Sequence, residues 1–260
     1  MLGEWVKVTF ASMHKELHIS LEDFNRSFRA IQINRINIHE RLLNKLDCKI
    51  YKYIPIAYLI ELLHSKQLFV ANRASFKDKR EQGHKENIRN MFAFLPAKND
   101  ATHNDDWREA QLLKLHEAYK LCISCWTEDI HGKCDESIMN WNCYGSDTCR
   151  IETTISKLAN CLSPNCKDIL IAPVQYDKEK SDSCIELRIF SKHLAYQEEQ
   201  EIRLCVLSLE QYEMFDFDVE TAITKIRISP YLPNSLKTSL ESLFPFLKGR
   251  VEFSHIIEKK

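Results

Sequence analysis

Two glutamates and an arginine lie close together in the segment Tyr196–Arg203, and their spacing defines the first candidate site. If this segment is a β-strand, alternation places Glu199, Glu201 and Arg203 on one face. One carboxylate would then bind a sugar hydroxyl or stabilise a developing cation, while the other orients or deprotonates a nucleophile. Arg203 would fix the charge state of both carboxylates. A solvated strand face with opposite charges is the competing interpretation.

Aromatic residues beside small hydroxyls form the second candidate site. Trp126, Trp141 and Tyr144 occur in a short stretch that also contains Ser124 and Thr127. Indole and phenol rings next to hydroxyl groups make a slot that suits a flat ring attached to a hydroxylated sugar. Packing of the same rings in the core is the alternative.

The third candidate is the lysine of the sequence Tyr51-Lys52-Tyr53. Strand alternation places the two tyrosines on one face and Lys52 on the other. Lys52 would then contact a phosphate or a carboxylate. Otherwise it is the solvated lysine of a half-buried edge strand.

The chain has 10 cysteines, so a metal site has to be weighed. Cys122 and Cys125 form a C-x-x-C pair, and Cys134, Cys143 and Cys149 follow. However, the pair falls in a predicted buried strand, where residues three apart point to opposite faces, whereas zinc sites usually present both thiolates from a turn. We therefore expect reduced core thiols and no metal site, with structural zinc as the less favoured alternative.

Several of these segments, in this order, resemble the motifs of an uncharacterised bacterial family, domain of unknown function 2971, over about residues 48 to 230. The matching segments are Tyr51-Lys52-Tyr53, Phe76–Glu81, Ser124-Cys125-Trp126, Ser137–Gly145 and Glu199–Arg203. The most specific part is Ser-Cys-Trp followed by Met-x-Trp-x-x-Tyr and Glu-x-Glu-x-Arg. Members of the family commonly have arginine at the position of Lys52 and glycine at that of Gln82.

This family is in turn similar to ADP-ribosyltransferase-like folds. The resemblance implies NAD as the cofactor, with Glu201 binding the nicotinamide-ribose hydroxyl and stabilising the transition state, and Glu199 positioning the acceptor. It implies a role in NAD binding for Lys52, Tyr53, Ser124 and Trp126, and the aromatic slot and the charged patch add Trp141, Tyr144 and Arg203 to the predicted NAD-binding residues. No G-x-G-x-x-G occurs in the chain, so a Rossmann-type site is not expected.

The leading hypothesis is therefore an NAD-consuming transferase that modifies a protein or nucleic-acid acceptor, as a toxin or an anti-phage effector would. One alternative is a non-catalytic module that holds a nucleotide or a partner peptide in the same aromatic slot. Another is a metal-dependent nuclease using Asp78, Glu81, Glu199 and Glu201, because divalent ions need clustered carboxylates.

Composition and charge indicate the class of protein and the partners to expect. Hydrophobic residues make up 44% of the 260 residues and charged residues 28%, as in ordinary globular proteins. The formal net charge of -1 does not indicate nucleic acid as a partner, although a local basic groove stays compatible with it. The first residues lack the features of a signal peptide and no apolar run approaches a spanning helix, so we predict a cytoplasmic protein with no membrane partner.

The elements that must position these residues alternate between short strands and helices. Strands are predicted over 48–53, 67–71, 121–126, 150–154, 169–176, 201–207, 223–229 and 250–257, and helices over 56–64, 136–145, 155–161 and 235–247. Residues 85 to about 121 are also predicted to be helical, except for a break at Pro96 and the polar stretch 99–106. We predict one α+β domain over 47–260, with a mixed sheet of short strands and flanking helices, and the resemblance implies an ADP-ribosyltransferase-like arrangement. Residues 1–46 are expected to form an N-terminal helical extension of two amphipathic helices, the second over Arg35–Leu46.

Overall fold

Strands with one strongly apolar face dominate the fold, which the computed structural model describes for residues 30–72, 120–128, 136, 138–165, 169–177, 190–208 and 210–256. The strands are β1 (Ala30–Ile33), β2 (Ile36–His39), β3 (Lys49–Pro55), β4 (Gln67–Asn72), β5 (Lys120–Glu128), β6 (Thr148–Thr154), β7 (Ile169–Pro173), β8 (Gln175–Asp177), β9 (Ser191–His193), β10 (Glu201–Ser208), β11 (Tyr212–Asp216), β12 (Lys225–Ile228) and β13 (Val251–Phe253). The α-helices are α1 (Ile56–Ser65), α2 (Ile138–Tyr144), α3 (Ile155–Cys161), α4 (Val219–Ala222) and α5 (Ser235–Leu243). Three 3-10 helices, Glu40–Lys45, Leu194–Glu199 and Pro245–Leu247, complete the described elements.

Within the described residues, 11 of these strands form one mixed sheet, in the order β1-β2-β7-β10-β5-β3-β6-β12-β13, with β4 and β11 branching from β5. Most neighbours are antiparallel, while β2 pairs with β7 and β12 with β13 in parallel. Strands β8 and β9 form a separate parallel pair. The prediction of an α+β fold built on a mixed sheet is confirmed. Among the described residues, no helix has the length and apolar character needed to cross a bilayer.

One face of the sheet forms the hydrophobic core. Ile151, Ile202 and Leu204 are fully buried there, against apolar residues of α1, α3, α4 and α5. Strand alternation sends the intervening side chains to the opposite face, where Glu201 and Arg203 lie. The two faces of the same strands therefore have opposite chemical character.

The central strand β5 forks the sheet. At one end its outer edge pairs with β3, with Tyr51 opposite Thr127. At the other end the same edge pairs with β4, with Ala71 opposite Ile123. The edge around Cys125 lies between these two pairings, where β3 and β4 diverge.

The predicted helix over Arg35–Leu46 is wrong for its first part, and only Glu40–Lys45 is helical, as a 3-10 helix. Residues 30–39 form a β-hairpin whose two loop residues, Asn34 and Arg35, have φ values of 47° and 64°. Positive φ at both positions is the geometry of a type I′ turn, which suits the twist of two hairpin strands. β2 also pairs with β7, so this part of the expected helical extension belongs to the main sheet. Almost all of the first predicted helix and most of the helix predicted over 85–121 lie outside the described residues.

The other predicted elements within the described residues are present, with ends that differ by a few residues. The helix over Ile155–Cys161 has the predicted bounds. The strand predicted over 169–176 is divided into β7 and β8. Gly145 ends α2 with a φ of 96°, the left-handed conformation expected of a glycine after a helix.

Candidate functional site

The two glutamates of the first candidate site lie on different elements. Glu199 is the last residue of the 3-10 helix Leu194–Glu199, and Gln200 follows it in a left-handed conformation with a φ of 44°. Strand β10 begins only at Glu201. The prediction that one strand carries Glu199, Glu201 and Arg203 is therefore wrong for Glu199, because the left-handed Gln200 separates the 3-10 helix that ends at Glu199 from the strand that begins at Glu201.

Lys192 nevertheless brings the two carboxylates together. Its Nζ lies 2.5 Å from Oε2 of Glu199 and 2.9 Å from Oε2 of Glu201. The Lys192 side chain is only 10% exposed, and its ammonium also lies over the ring of Tyr196. Both glutamates and Arg203 thus share one charged cluster, as the sequence predicted, but a lysine from β9 makes the connection.

Glu201 is an ionised carboxylate in a nearly closed environment. Its side chain is 5% exposed, and Arg203 donates from Nε to Oε1 at 2.9 Å and from Nη2 to Oε2 at 3.0 Å. Burial alone would raise the pKa of this carboxyl. The charges of Arg203 and Lys192, with hydrogen bonds from Arg203 and Cys125, outweigh burial and lower the pKa to about 2. At neutral pH Glu201 is therefore a hydrogen-bond acceptor.

Cys125 is also a member of this cluster, whereas the sequence drew attention to it only as part of the C-x-x-C pair and of the Ser-Cys-Trp motif. It lies opposite Arg203 in the β5–β10 register and hydrogen-bonds to Glu201. Burial and the negative charge of Glu201 raise the pKa of its thiol well above the usual value. Cys125 is thus a protonated donor to Glu201.

Three aromatic side chains pack together on the same side of the sheet as Glu201. The rings of Tyr53 and Tyr144 stack with centroids 5.1 Å apart and an interplanar angle of 6°. Trp141 meets Tyr53 edge-on at 5.0 Å, and its Nε1 donates to the buried carboxylate of Glu136 at 3.0 Å. These contacts fix α2 over β3 and hold Tyr144 in a defined position.

Tyr144 connects this aromatic cluster to the carboxylates. Its side chain is 45% exposed, whereas Tyr53 beneath it is buried. Desolvation raises the pKa of its hydroxyl, and the negative charges of Glu201 and Glu199 raise it further. The exposed side chain of Tyr144 therefore belongs to a protonated phenol whose hydroxyl is under the influence of the Glu201 cluster.

Lys52, Ser124 and Trp126 lie on the other side of β5. In the β5–β10 register, Ser124 is opposite Leu204 and Trp126 is opposite Ile202, both on the core face. Trp126 is 2% exposed, and its buried indole Nε1 has no hydrogen-bond partner among the residues that the structure describes. The expected slot combining Trp126 with Trp141 and Tyr144 is thus divided by the sheet itself.

The ammonium group of Lys52 fills the fork of the sheet. Its Nζ donates to Ser124 Oγ at 3.1 Å and to the backbone carbonyl of Cys125 at 3.3 Å, and it lies 5.6 Å from the centroid of the Trp126 ring. Burial lowers the pKa of Lys52. The Lys52 side chain therefore satisfies groups of Ser124 and Cys125, at a part of β5 that lies between its backbone pairings with β3 and β4.

Tyr176 is a further contact of the site that the sequence did not reveal. Its hydroxyl accepts a hydrogen bond from the backbone N–H of Glu201 at 2.8 Å. Because Tyr176 lies at the end of a predicted strand among ordinary polar residues, no spacing marks it. Only the pairing of β8 with β9 places it beside Lys192.

The cysteine pair behaves as strand geometry predicts. Cys122 lies opposite Val206 and Cys125 opposite Arg203, so the two thiols point to opposite faces of β5. All seven cysteines among the described residues are free thiols, but Cys48 and Cys143 are exposed, so the expectation of core thiols is wrong for these two. The described residues also contain no group of three or more histidine, cysteine or acidic side chains arranged to hold a metal ion.

The carboxylates of the nuclease hypothesis are not all in the described structure. Asp78 and Glu81 lie outside the described residues. Glu199 and Glu201 share the ammonium of Lys192, a protein cation in the position where a divalent ion would have to bind both carboxylates. This arrangement disfavours the nuclease hypothesis.

Comparisons with protein-family models, with curated proteins and with solved structures find no match for this chain. The functional interpretation therefore depends on the geometry of the site and on the motifs of the sequence.

Proposed function

We propose that this protein is an NAD-consuming transferase with an ADP-ribosyltransferase-like fold, acting on a protein or nucleic-acid acceptor. The observation that supports the proposal is Glu201, a buried carboxylate kept ionised on a central strand beside the tyrosine stack. The motif resemblance adds the expectation of NAD, of a toxin or anti-phage role and of a cytoplasmic setting.

The residues of the cluster fit such a ligand. Glu201 offers an ionised carboxylate, the group that ribose hydroxyls would meet as donors. Tyr144 offers an exposed aromatic side chain, and its partner Tyr53 holds it in place. Bound NAD would supply a glycosidic carbon with nicotinamide as the leaving group.

Each charged residue of the cluster has a distinct task in the proposed reaction. Glu201 stabilises positive charge that develops beside it, since its carboxylate is already oriented by Arg203 before the reaction begins. Arg203 and Lys192 are positioning residues that keep Glu201 ionised. Tyr144, with its raised hydroxyl pKa, donates a hydrogen bond at neutral pH.

Glu199 is the better placed of the two glutamates to meet an acceptor. Its side chain is 35% exposed, against 5% for Glu201, although both contact Lys192. An acceptor group arriving from solvent would reach Glu199 first. This difference in exposure supports the division of roles that the motif resemblance implies.

A non-catalytic nucleotide- or partner-binding module is the second candidate, because the carboxylate oxygens of Glu201 are already engaged. Arg203 binds both oxygens, and Lys192 and Cys125 add further donors. A carboxylate so fully bonded can serve to hold the sheet rather than to react. In that case the exposed Tyr144 would bind a flat ring without chemistry.

Nicotinamide release from NAD tests the proposal. We would compare the wild type, Glu201→Gln and Glu252→Gln, each with and without cell lysate as a source of acceptor. Glu252 is the matched control because it is also a strand glutamate paired with lysine and arginine, on β13 at the sheet edge. The transferase predicts release that is lost in Glu201→Gln and retained in Glu252→Gln.

A silent wild type in the presence of lysate would contradict the transferase. Calorimetric titration with NAD would then test the binding module, which predicts binding by the wild type and weaker binding by Tyr144→Ala. Thermal unfolding of every variant separates loss of function from loss of fold.

A further inference from the structure

A second, chemically different site adjoins the Glu201 cluster. An open pocket of about 410 Å³ lies at the ends of β5 and β7, beside the 3-10 helix Glu40–Lys45. Its polar lining comes from Arg41, Lys45, Glu128, Gln175, Tyr176 and Gln200, and its other lining residues are apolar. The volume falls within the range of about 300–1,000 Å³ that is usual for small-molecule sites.

The charge of this pocket is positive, and Arg41 is its source. Lys45 and Glu128 form an ion pair at 2.8 Å, so their charges largely cancel. Arg41 is exposed, and its guanidinium forms no ion pair within the part of the chain that the structure describes. A guanidinium on a pocket wall offers several N–H donors in one plane, which suits the oxygens of an oxyanion.

Tyr176 supplies a second donor to the same pocket. Its oxygen accepts the hydrogen bond from the Glu201 N–H, so its own proton remains for a ligand. Burial is the main cause that raises its pKa, which reaches about 12, and the hydroxyl therefore keeps this proton at neutral pH. Lys45 adds N–H groups beyond those that its pairing with Glu128 uses.

We propose that this pocket binds the phosphate group of a small organic phosphate, with Arg41 as the principal contact and Tyr176 and Lys45 as additional donors. A phosphate has more acceptor oxygens than a carboxylate and so matches this larger set of donors. The volume exceeds what a phosphate alone needs, which leaves room for an organic part against the amides and the apolar wall. Glu128 limits the positive field and so disfavours an extended polyanion.

This site is distinct from the proposed catalytic cluster. Its phosphate donors are Arg41, Lys45 and Tyr176, none of which belongs to the set Glu199, Glu201 and Arg203. The two sites are neighbours through the backbone: Tyr176 and Val174 line the pocket and hydrogen-bond to the backbone of Glu201, and the lining residue Gln200 precedes Glu201 in the chain. Binding at this pocket is therefore measurable without any turnover of NAD.

Calorimetric titration with inorganic pyrophosphate, at an ionic strength held constant with sodium chloride, tests the proposal. We expect saturable binding by the wild type, and at least about tenfold weaker binding by Arg41→Gln through loss of the charge-assisted bonds. Lys248→Gln is the matched control, since it removes an exposed positive charge outside the pocket, and it should bind as the wild type does. Arg41→Lys keeps the charge but loses the planar guanidinium, so its affinity should lie between those of the wild type and Arg41→Gln.

Absence of saturable binding by the wild type would overturn the proposal, as would equal affinities of the wild type and Arg41→Gln. Because Arg41 is exposed, we expect unchanged thermal unfolding of its variants, and a weaker affinity then reports the pocket itself. The outcome is independent of nicotinamide release, so the two proposals fail or succeed separately.

Discussion

The guanidinium of Arg203 binds both carboxylate oxygens of Glu201, two positions earlier on the same strand. Side chains at i and i+2 of a strand share a face and lie about 6–7 Å apart, so the pairing is local. The burial of this pair is not local, because elements distant in sequence must cover the two side chains, which are almost completely buried. Lys192 and Glu199 add one charge of each sign, so two cations and two carboxylates balance in this mostly buried cluster.

Arg203→Gln should destabilise the protein strongly. It leaves the buried carboxylate of Glu201 with Lys192 as its remaining cation, and removing one partner of a buried ion pair typically costs about 3–5 kcal/mol. We expect the free energy of unfolding in urea to fall by that order.

The double variant Glu201→Gln, Arg203→Gln is the control for this expectation. If the loss comes from the unpaired charge, the double variant should be more stable than the sum of the two single changes implies. Additive losses would contradict a direct coupling between the two side chains.

The stability of the wild type should fall in acid through Glu201. The folded-state pKa of this carboxyl, about 2, is below its ordinary value of 4.5, so its stabilising effect is complete above pH 4.5 and is lost as the pH falls toward 2. The shift corresponds to about 3 kcal/mol. Because glutamine does not titrate, the difference in unfolding free energy between wild type and Glu201→Gln should narrow over this pH range. A constant difference would contradict the lowered pKa.

Local alternation explains what the sequence could predict. The pairing of Glu201 with Arg203 and the opposite directions of Cys122 and Cys125 both follow from the two-residue period of a strand. The start of α3 follows from its N-cap, since Thr154 accepts from the N–H of Lys157.

Long-range geometry explains what the sequence could not predict. Strand β5 is buried on both faces, so alternation alone cannot predict whether Trp126 lies on the same face of the sheet as Glu201. The fork that Lys52 fills depends on the divergence of two strands from β5. Gln200 and the pair Asn34-Arg35 adopt left-handed conformations without a glycine, so the usual sequence signal for such a turn is missing.

Glu136→Gln should loosen α2. The buried Glu136 carboxylate accepts hydrogen bonds from Trp141 Nε1, Arg227 Nη1, Ser254 Oγ and the backbone N–H of His255. The uncharged amide keeps one acceptor oxygen and introduces donors that face other donors, so we expect a loss of about 3 kcal/mol in unfolding free energy. Hydrogen exchange should also accelerate in residues 138–144.

Glu252→Gln is the comparison for this effect. Glu252 pairs with Lys225 and also contacts Arg227, but its side chain is 36% exposed. Solvent screening limits such pairs to about 1 kcal/mol or less. If both substitutions had equally small effects, the buried bonds of Glu136 would not be what holds α2.

Tyr144→Ala should weaken the binding of NAD about tenfold, since the proposed site loses its exposed aromatic side chain. Tyr144→Phe keeps the ring and should retain most of the affinity while losing only the hydroxyl donor. Calorimetric titration measures both variants. Equal affinities of the wild type and Tyr144→Ala would remove Tyr144 from the binding site.

Lys52→Met separates two roles of this lysine. If Lys52 acts in the fork as the structure shows, its loss leaves the Cys125 carbonyl and the Ser124 hydroxyl without their donor, which costs about 1–3 kcal/mol of unfolding free energy. Lys52→Gln retains a donor and should lose less.

Both Lys52 variants should bind NAD more tightly than Tyr144→Ala does, because the Lys52 ammonium is directed at groups of β5 and away from the exposed face of the tyrosine stack. The opposite pattern, a large loss of NAD affinity with unchanged stability, would establish Lys52 as the anion contact that the sequence predicts. In that case β3 and β4 would have to move apart where they diverge. The Lys52 ammonium would then exchange its bonds to Ser124 and to the Cys125 carbonyl for bonds to a phosphate of NAD.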